Sequence, residues 1–218
     1  MWRRRQVGKA KVCKTFIPQF ESGRRLHFLE VNMAKKRIGH LIILSGPSGV
    51  GKDSVISRIR FLNKQIHASV SFTTRPIRVG EKDGASYHFI SEEEFKNKIN
   101  NGDFLEYTSY CGYYYGTLKK TVVDAVNSGR DIILKIDVDG AAKVRTLGIN
   151  CISIFISPPS FYDLKERIRI RGTDHIEMIQ DRLKRVEYEM SQAKNYDYIV
   201  VNDLVDKCAH EILEILGY

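Results

Sequence analysis

Leu41-Ile42-Ile43-Leu44-Ser45-Gly46-Pro47-Ser48-Gly49-Val50-Gly51-Lys52-Asp53 is the stretch that decides the fold. An apolar run of strand length meets a glycine-rich turn, then a lysine, then a helix-forming segment that extends to about Asn63. The turn fits G-x-x-x-x-G-K and lies where that motif must lie, after an apolar strand and before a helix. Glycines let successive backbone N–H groups face one phosphate, and the helix N-terminus adds a positive field. Gly46, Pro47, Ser48, Gly49, Val50, Gly51, Lys52, Asp53 and Ser54 are therefore expected to cradle the phosphates of a nucleoside triphosphate, with Lys52 bridging β and γ as a point charge. The motif's last place calls for Ser or Thr to hold Mg²⁺. Here Asp53 stands there and Ser54 comes next, so either is a candidate ligand for magnesium brought in with the triphosphate.

Outward from that loop, strand and helix patterns alternate. A strand is expected over Ser69 to Thr74. Ser91 and Glu94 form a capping box opening a helix to about Asn100, which Asn101-Gly102 ends. Strands are expected over Phe104 to Tyr110, Asp131 to Asp137 and Cys151 to Ile156, the last stopped by Pro158-Pro159. Helices are expected over Lys119 to Asn127, about Ser160 to Ile170, and Ile176 to Lys194. Tyr198 to Val201 is a last core strand, and Asp203 is expected to cap a final helix with Leu204, Ile212, Leu213 and Leu216 on one side. The pattern implies an α/β fold with a parallel β-sheet core flanked by helices.

The 218 residues suffice for one sizeable domain, and no apolar run approaches the ~20 residues of a membrane span. Cys13, Cys111, Cys151 and Cys208 are scattered, which indicates neither a zinc site nor a redox motif. The formal net charge is +9, yet residues 1–40 hold eleven Lys or Arg and two acids, and the rest of the chain holds 24 of each sign. The basic character thus belongs to a leader and not to a global nucleic-acid-binding surface. Residues 1–38 form a basic extension without periodicity, read either as a targeting or nucleic-acid tail or as upstream of a true start at Met33.

The remaining segments narrow the acceptor. Arg75 and Arg78 place two guanidinium forks three residues apart after a strand, a pattern suited to phosphate oxygens. Tyr87 and Tyr115 supply phenols, and Thr117 a small hydroxyl. Glu106 is one acid on an otherwise apolar strand. A carboxylate can accept two parallel N–H bonds, which guanine offers at N1 and its exocyclic amine and adenine does not. Such a buried acid should reject adenine strongly.

The runs S-x-T-T-R-x-x-R-x-G-E-x-x-G-x-x-Y-x-F (from Ser71), F-L-E (Phe104 to Glu106), Y-Y-G-T (Tyr114 to Thr117) and I-D-V-D-G-A (Ile136 to Ala141) together resemble the guanylate kinase family. The resemblance covers the chain from Gly39 to the C-terminus. It implies a P-loop kinase with a core over about 39–70, 119–158 and 195–218, a small GMP-binding α+β insertion over about 71–118, and a helical lid over about 159–194. It implies that Arg75, Arg78, Tyr87 and Tyr115 hold the GMP phosphate. Ser71, Glu106 and Thr117 would read guanine, and Asp137 would sit between the nucleotides. Gly112 and Gly116 would permit backbone approach, Arg167, Arg171 and Arg182 would close over ATP, and Asn202 would lie near the adenine.

Lys52, Arg75, Arg167, Arg171, Arg182 and Asp137 would carry catalysis, with Mg²⁺ bound alongside ATP. Two departures stand out: the family often has an acid where Lys135 stands and frequently Gln where Asp139 stands. Asp after the loop lysine, with a base before I-D, is similar to plant organellar members. The implied reaction is ATP + GMP to ADP + GDP, with dGMP as a further acceptor. Neither a membrane nor a nucleic-acid partner is expected, the assembly is a monomer or homodimer, and the address is cytoplasmic, with organellar targeting by the leader as the alternative. Two rival readings are a ribose bisphosphate kinase-like enzyme, whose loop also resembles G-K-D-S, and a non-catalytic guanylate kinase-like interaction domain.

Overall fold

The computed structural model describes residues 37–110, 112–164 and 185–218. Five parallel strands form the main sheet: β1 (Leu41–Ser45), β2 (Ile66–Ala68), β7 (Asp131–Lys135), β8 (Cys151–Ser157) and β9 (Tyr198–Val201), in the order β2-β7-β1-β8-β9. Leu41 pairs with Ile132 on one side and Cys151 on the other, so β1 is central and buried along its whole length.

The two-residue period of the strands sorts the core into two layers. Ile42, Leu44, Ile133, Ile154 and Ile156 pack beneath helix α1 (Lys52–Leu62) and the C-terminal helix α5 (Val205–Leu216). Leu41, Ile43, Ile132, Leu134 and Phe155 face α3 (Lys119–Asn127) and α4 (Val138–Thr146). Each fully buried aliphatic side chain stabilises the fold by about 1.5–3 kcal/mol relative to exposure. The sheet's direction is thereby fixed, with the C-terminal ends of β1 and β7 both pointing at the glycine-rich loop.

A second sheet, in the order β4-β3-β6-β5, is built from β3 (Phe72–Thr73), β4 (His88–Phe89), β5 (Phe104–Tyr110) and β6 (Tyr113–Leu118). Helix α2 (Glu92–Asn100) is anchored on it through Phe95, which stacks on Phe104 at 4.5 Å and on Tyr114 at 5.4 Å. The Ser91–Glu94 capping box is formed in both directions. A Cβ on Gly116 would lie 3.0 Å from both Phe95 and Phe104, so this glycine makes room for the aromatic stack as well as lining a cavity beside the glycine-rich loop.

Several expected boundaries move. The strand expected over Ser69 to Thr74 is only Phe72–Thr73, and the edge of the core sheet is taken by Ile66–Ala68 instead. Residues Val138–Thr146, beyond the end of the strand expected over Asp131 to Asp137, form α4, whose N-cap is Asp137. Asp203 is not the cap of the last helix: Leu204 occupies that position, and Asp203 accepts from the Leu204 amide and pairs with Lys207. Leu204 is 66% exposed, so it leaves the apolar face assigned to it; Cys208, Ala209, Ile212 and Leu213 form that face. Residues 161–164 and 185–191 are helical. Arg167, Arg171 and Arg182 lie outside the described residues.

At the opposite end of β7 from the loop, buried Asp131 accepts from the His40 amide at 2.8 Å, the Arg37 guanidinium at 2.9 Å and the Tyr218 hydroxyl. No helix among the described residues is long and apolar enough to cross a membrane.

Candidate active site

The loop after β1 folds as it does because its glycines adopt backbone angles closed to other residues. Gly46 has φ +148° and a Cβ there would stand 2.3 Å from the Ile156 carbonyl oxygen; Gly51, at φ +95°, would meet Asn202 at 2.8 Å. Lys52 opens α1 and curls back over the loop, donating from Nζ to the Gly46 carbonyl at 2.6 Å and the Pro47 carbonyl at 3.1 Å. Burial lowers the pKa of this ammonium. Ser48 donates its backbone N–H to Glu189 Oε2 at 3.0 Å. Glu189 is a buried carboxylate that burial pushes above its ordinary pKa, and its other oxygen faces Arg185 Nε at 3.5 Å.

The loop opens into a cavity lined by Ser48, Lys52 and Asp53 on one side and by Ser71, Tyr87, Glu106, Tyr115 and Gly116 on the other, with Lys135, Ile136, Asp137 and Glu189 between them. It lies outside the carboxyl ends of the parallel strands, where open α/β sheets bind ligands. The second sheet forms the far wall. Arg75 is buried there, donating to both oxygens of Glu81 at 2.7 and 3.0 Å and to the Pro76 carbonyl at 2.6 Å. Its guanidinium carbon lies 5.6 Å from the Tyr87 ring centroid, and Tyr87 meets Tyr115 edge to face at 5.9 Å. Arg78 is exposed, and its backbone N–H donates to Glu81 Oε2 at 2.8 Å. Glu81 thus organises both arginines' segment.

Deeper in the cavity, Glu106 is 5% exposed and accepts from Thr117 Oγ1 at 2.8 Å; Ser71 Oγ stands 3.4 Å from the same threonine oxygen. Burial raises the Glu106 carboxyl to about 7. Asp137 caps α4 by accepting from the Gly140 amide at 2.7 Å and from Thr108 Oγ1 at 3.2 Å, which ties the two sheets together. Gly140 is held to its size by this site, because a Cβ there would stand 2.7 Å from Glu106 Oε2.

Of the expected residues, Ser48, Lys52, Asp53, Ser71, Tyr87, Glu106, Tyr115, Gly116 and Asp137 line this one cavity; Arg75, Arg78 and Thr117 do not line it, although Arg75 lies against Tyr87 and Thr117 donates to Glu106. Asn202 is also outside the lining: it is 2% exposed and donates from Nδ2 to the Val50 carbonyl at 2.7 Å, which fixes it against the glycine-rich loop. Asp53 stands at the loop's end with its side chain 77% exposed and Oδ1 2.5 Å from Lys135 Nζ. Ser54 is exposed one residue further on. Sequence pattern singles out none of Glu81, Glu189, Thr108 and Gly140, although the glutamate of G-E lies within the family-like run from Ser71.

A family model described as guanylate kinase matches residues 38–217. The guanylate kinase of Prochlorococcus marinus is 43% identical over 181 residues, spanning 83% of this chain and 98% of that protein. The guanylate kinase of Neisseria gonorrhoeae is 44% identical over 185 residues, spanning 85% and 90% of the two chains. Among solved structures, the guanylate kinase of Anaplasma phagocytophilum superposes with a TM-score of 0.70 at 35% identity, covering 84% of this chain and 86% of that one.

Proposed function

The chain belongs to the guanylate kinase family and is an ATP-dependent nucleoside monophosphate kinase, and from that premise we propose that it phosphorylates GMP, with dGMP as a second acceptor. The observation that carries the reading is the company Glu106 keeps. A carboxylate 5% exposed, with Thr117 and Ser71 beside it, shares a cavity with Lys52 and the glycine-rich loop. Guanine's N1–H and amino group would pair with that carboxylate, while adenine would leave it desolvated and unmatched.

The chemistry asked of the protein is positioning and charge stabilisation. Arg75, Arg78, Tyr87 and Tyr115 would hold the acceptor phosphate, with Glu81 keeping the Arg75 fork in a fixed plane. Lys52 would leave the loop carbonyls for the β- and γ-phosphates of ATP. The acceptor is already anionic at neutral pH, so an in-line attack on the γ-phosphorus needs no general base. Arg167, Arg171 and Arg182 are proposed to close over the donor and exclude water. Magnesium ordinarily takes one or two carboxylates and completes its shell with phosphates and water. Among the described residues no group of three or more His, Cys, Asp or Glu is arranged to hold an ion; Asp53 is engaged by Lys135 at 2.5 Å, which leaves the exposed Ser54 hydroxyl as the loop's own ligand beside phosphate oxygens and water. When bound, the ion would neutralise charge on the triphosphate.

The rival readings fit less well. Ribose bisphosphate has no base for Glu106 and Thr117 to meet, and an interaction module has no need of Lys52 within an intact loop. A coupled ADP-release assay with GMP, dGMP, AMP, UMP and ribose 1,5-bisphosphate tests the proposal. GMP is expected to be the best ribonucleotide acceptor, and equal rates with AMP would overturn the base-reading argument.

A further inference from the structure

In-line transfer with these roles gives Lys135 no part, yet its position is unusual for a bystander. It ends β7 at the sheet's ligand-facing edge, with its side chain 14% exposed. Its ammonium is 2.5 Å from Asp53 Oδ1, on the donor side of the cavity, and 4.4 Å from the Tyr87 ring centroid, on the acceptor side. Tyr87 is in turn the ring against which Arg75 and Tyr115 lie. Lys135 therefore touches both halves of the site, while Lys52 lines the same cavity.

A buried ammonium is costly unless something of opposite sign meets it. Asp53, mostly exposed, supplies one such group from the loop itself. The cavity's occupants, if it transfers phosphoryl groups between nucleotides, are two polyanions whose reacting ends must approach each other against Coulomb repulsion. A cation fixed on the line between them stabilises the arrangement most when charge is spread across the transferring group.

We propose that Lys135 is a catalytic cation at the junction of donor and acceptor, hydrogen-bonding a phosphate oxygen there, and that Asp53 is the positioning residue that aims it. The acceptor oxygen forms its bond to the γ-phosphorus as the bond to the β,γ-bridging oxygen breaks. The electron pair leaves with ADP, and Lys135 keeps its proton throughout. The pairing also accounts for Asp at the place where the loop motif calls for a hydroxyl: the carboxylate serves a lysine 82 residues away. This inference rests on the phosphoryl-transfer reading.

The test uses the full chain with Lys135→Met, Lys135→Gln, Lys135→Arg, Asp53→Asn and the Lys135→Met/Asp53→Asn double variant. Steady-state kinetics with ATP and GMP are paired with calorimetric binding of GMP alone, without ATP or magnesium, and with thermal melts. Lys135→Met is expected to lower kcat on the order of 10²-fold, as loss of one donor to a developing charge does. GMP binding should weaken by only about threefold or less, because the contact matures in the transition state. Lys135→Arg should recover kcat to within about tenfold of the parent chain. Asp53→Asn should cost about tenfold alone and almost nothing on top of Lys135→Met, since the two act through one interaction. Lys135→Gln keeps the test open if the methionine variant fails to melt cooperatively. A kcat within about twofold of the parent for either neutral variant, or losses that multiply in the double variant, would overturn the proposal. A parent chain that transfers nothing to GMP would overturn the GMP reading as well, whereas an active parent with active Lys135 variants overturns this inference alone.

Discussion

Replacing Glu106 by Gln should stabilise the nucleotide-free protein while weakening its hold on GMP. The carboxyl is 5% exposed, and burial raises it from 4.5 to about 7. At about 1.4 kcal/mol for each pH unit of displacement, ionising it in place costs on the order of 3 kcal/mol. The sign comes from proton linkage. Below the unfolded value both states carry the proton and nothing is gained or lost. Between that value and about 7 the folded chain keeps a proton that the unfolded chain has released, so stability falls as pH rises. Above about 7 the whole penalty is present.

Glutamine preserves the acceptor for Thr117 Oγ1 and removes the charge. Urea denaturation of both proteins from about pH 5 to about pH 8 should give a stability difference that favours the variant increasingly with pH and levels off at a few kcal/mol. Taking the difference cancels Glu189, the other buried acid that burial pushes upward. The same variant should bind GMP at least about tenfold more weakly near pH 8, because the amide offers guanine one acceptor where the carboxylate offers two. A difference that stays flat across that pH range, together with unchanged GMP affinity, would refute the reasoning.

Gly46→Ala should abolish or severely reduce ATP binding and lower the melting temperature, because its Cβ would be forced to 2.3 Å from the Ile156 carbonyl oxygen at a φ of +148°; dye-free thermal melts and ATP titration check it. Asn202→Ala removes the buried amide that holds the Val50 carbonyl, with an expected loss of about 1–3 kcal/mol in urea titrations and a KM that rises for ATP more than for GMP. Ser91→Ala breaks the capping box of α2 at about 1 kcal/mol of stability, and kcat should stay within about twofold of the parent because α2 lines no part of the cavity.

What could be read from the sequence is what local pattern encodes. The apolar runs of β1, β7 and β8 are continuous because both faces of a central parallel strand are buried, and the loop after β1 is short enough for its glycines to be counted. Ile66–Ala68 carries too few residues to show a period, although it forms a sheet edge. Helix α4 carries two poor helix formers, Asp139 and Gly140, in its first turn; it forms because Asp137 accepts from the Gly140 amide and Ala141 and Val144 are buried against the sheet. The site's missing members are those whose meaning depends on a distant partner. Glu189 meets Ser48 across 141 residues, and Lys135 meets Asp53 across 82, a separation at which charge sign alone selects no partner. The bond from the Asn202 amide to the Val50 carbonyl, across 152 residues, is likewise invisible to local pattern.

Asp131, on which Arg37, His40 and Tyr218 converge, has a practical consequence for anyone attaching cargo to this enzyme. It sits four residues from Lys135 along an extended strand, about 13 Å away at the usual rise. A label joined at residue 37 or at Tyr218 would therefore start from the floor of the sheet, at the end away from the cavity.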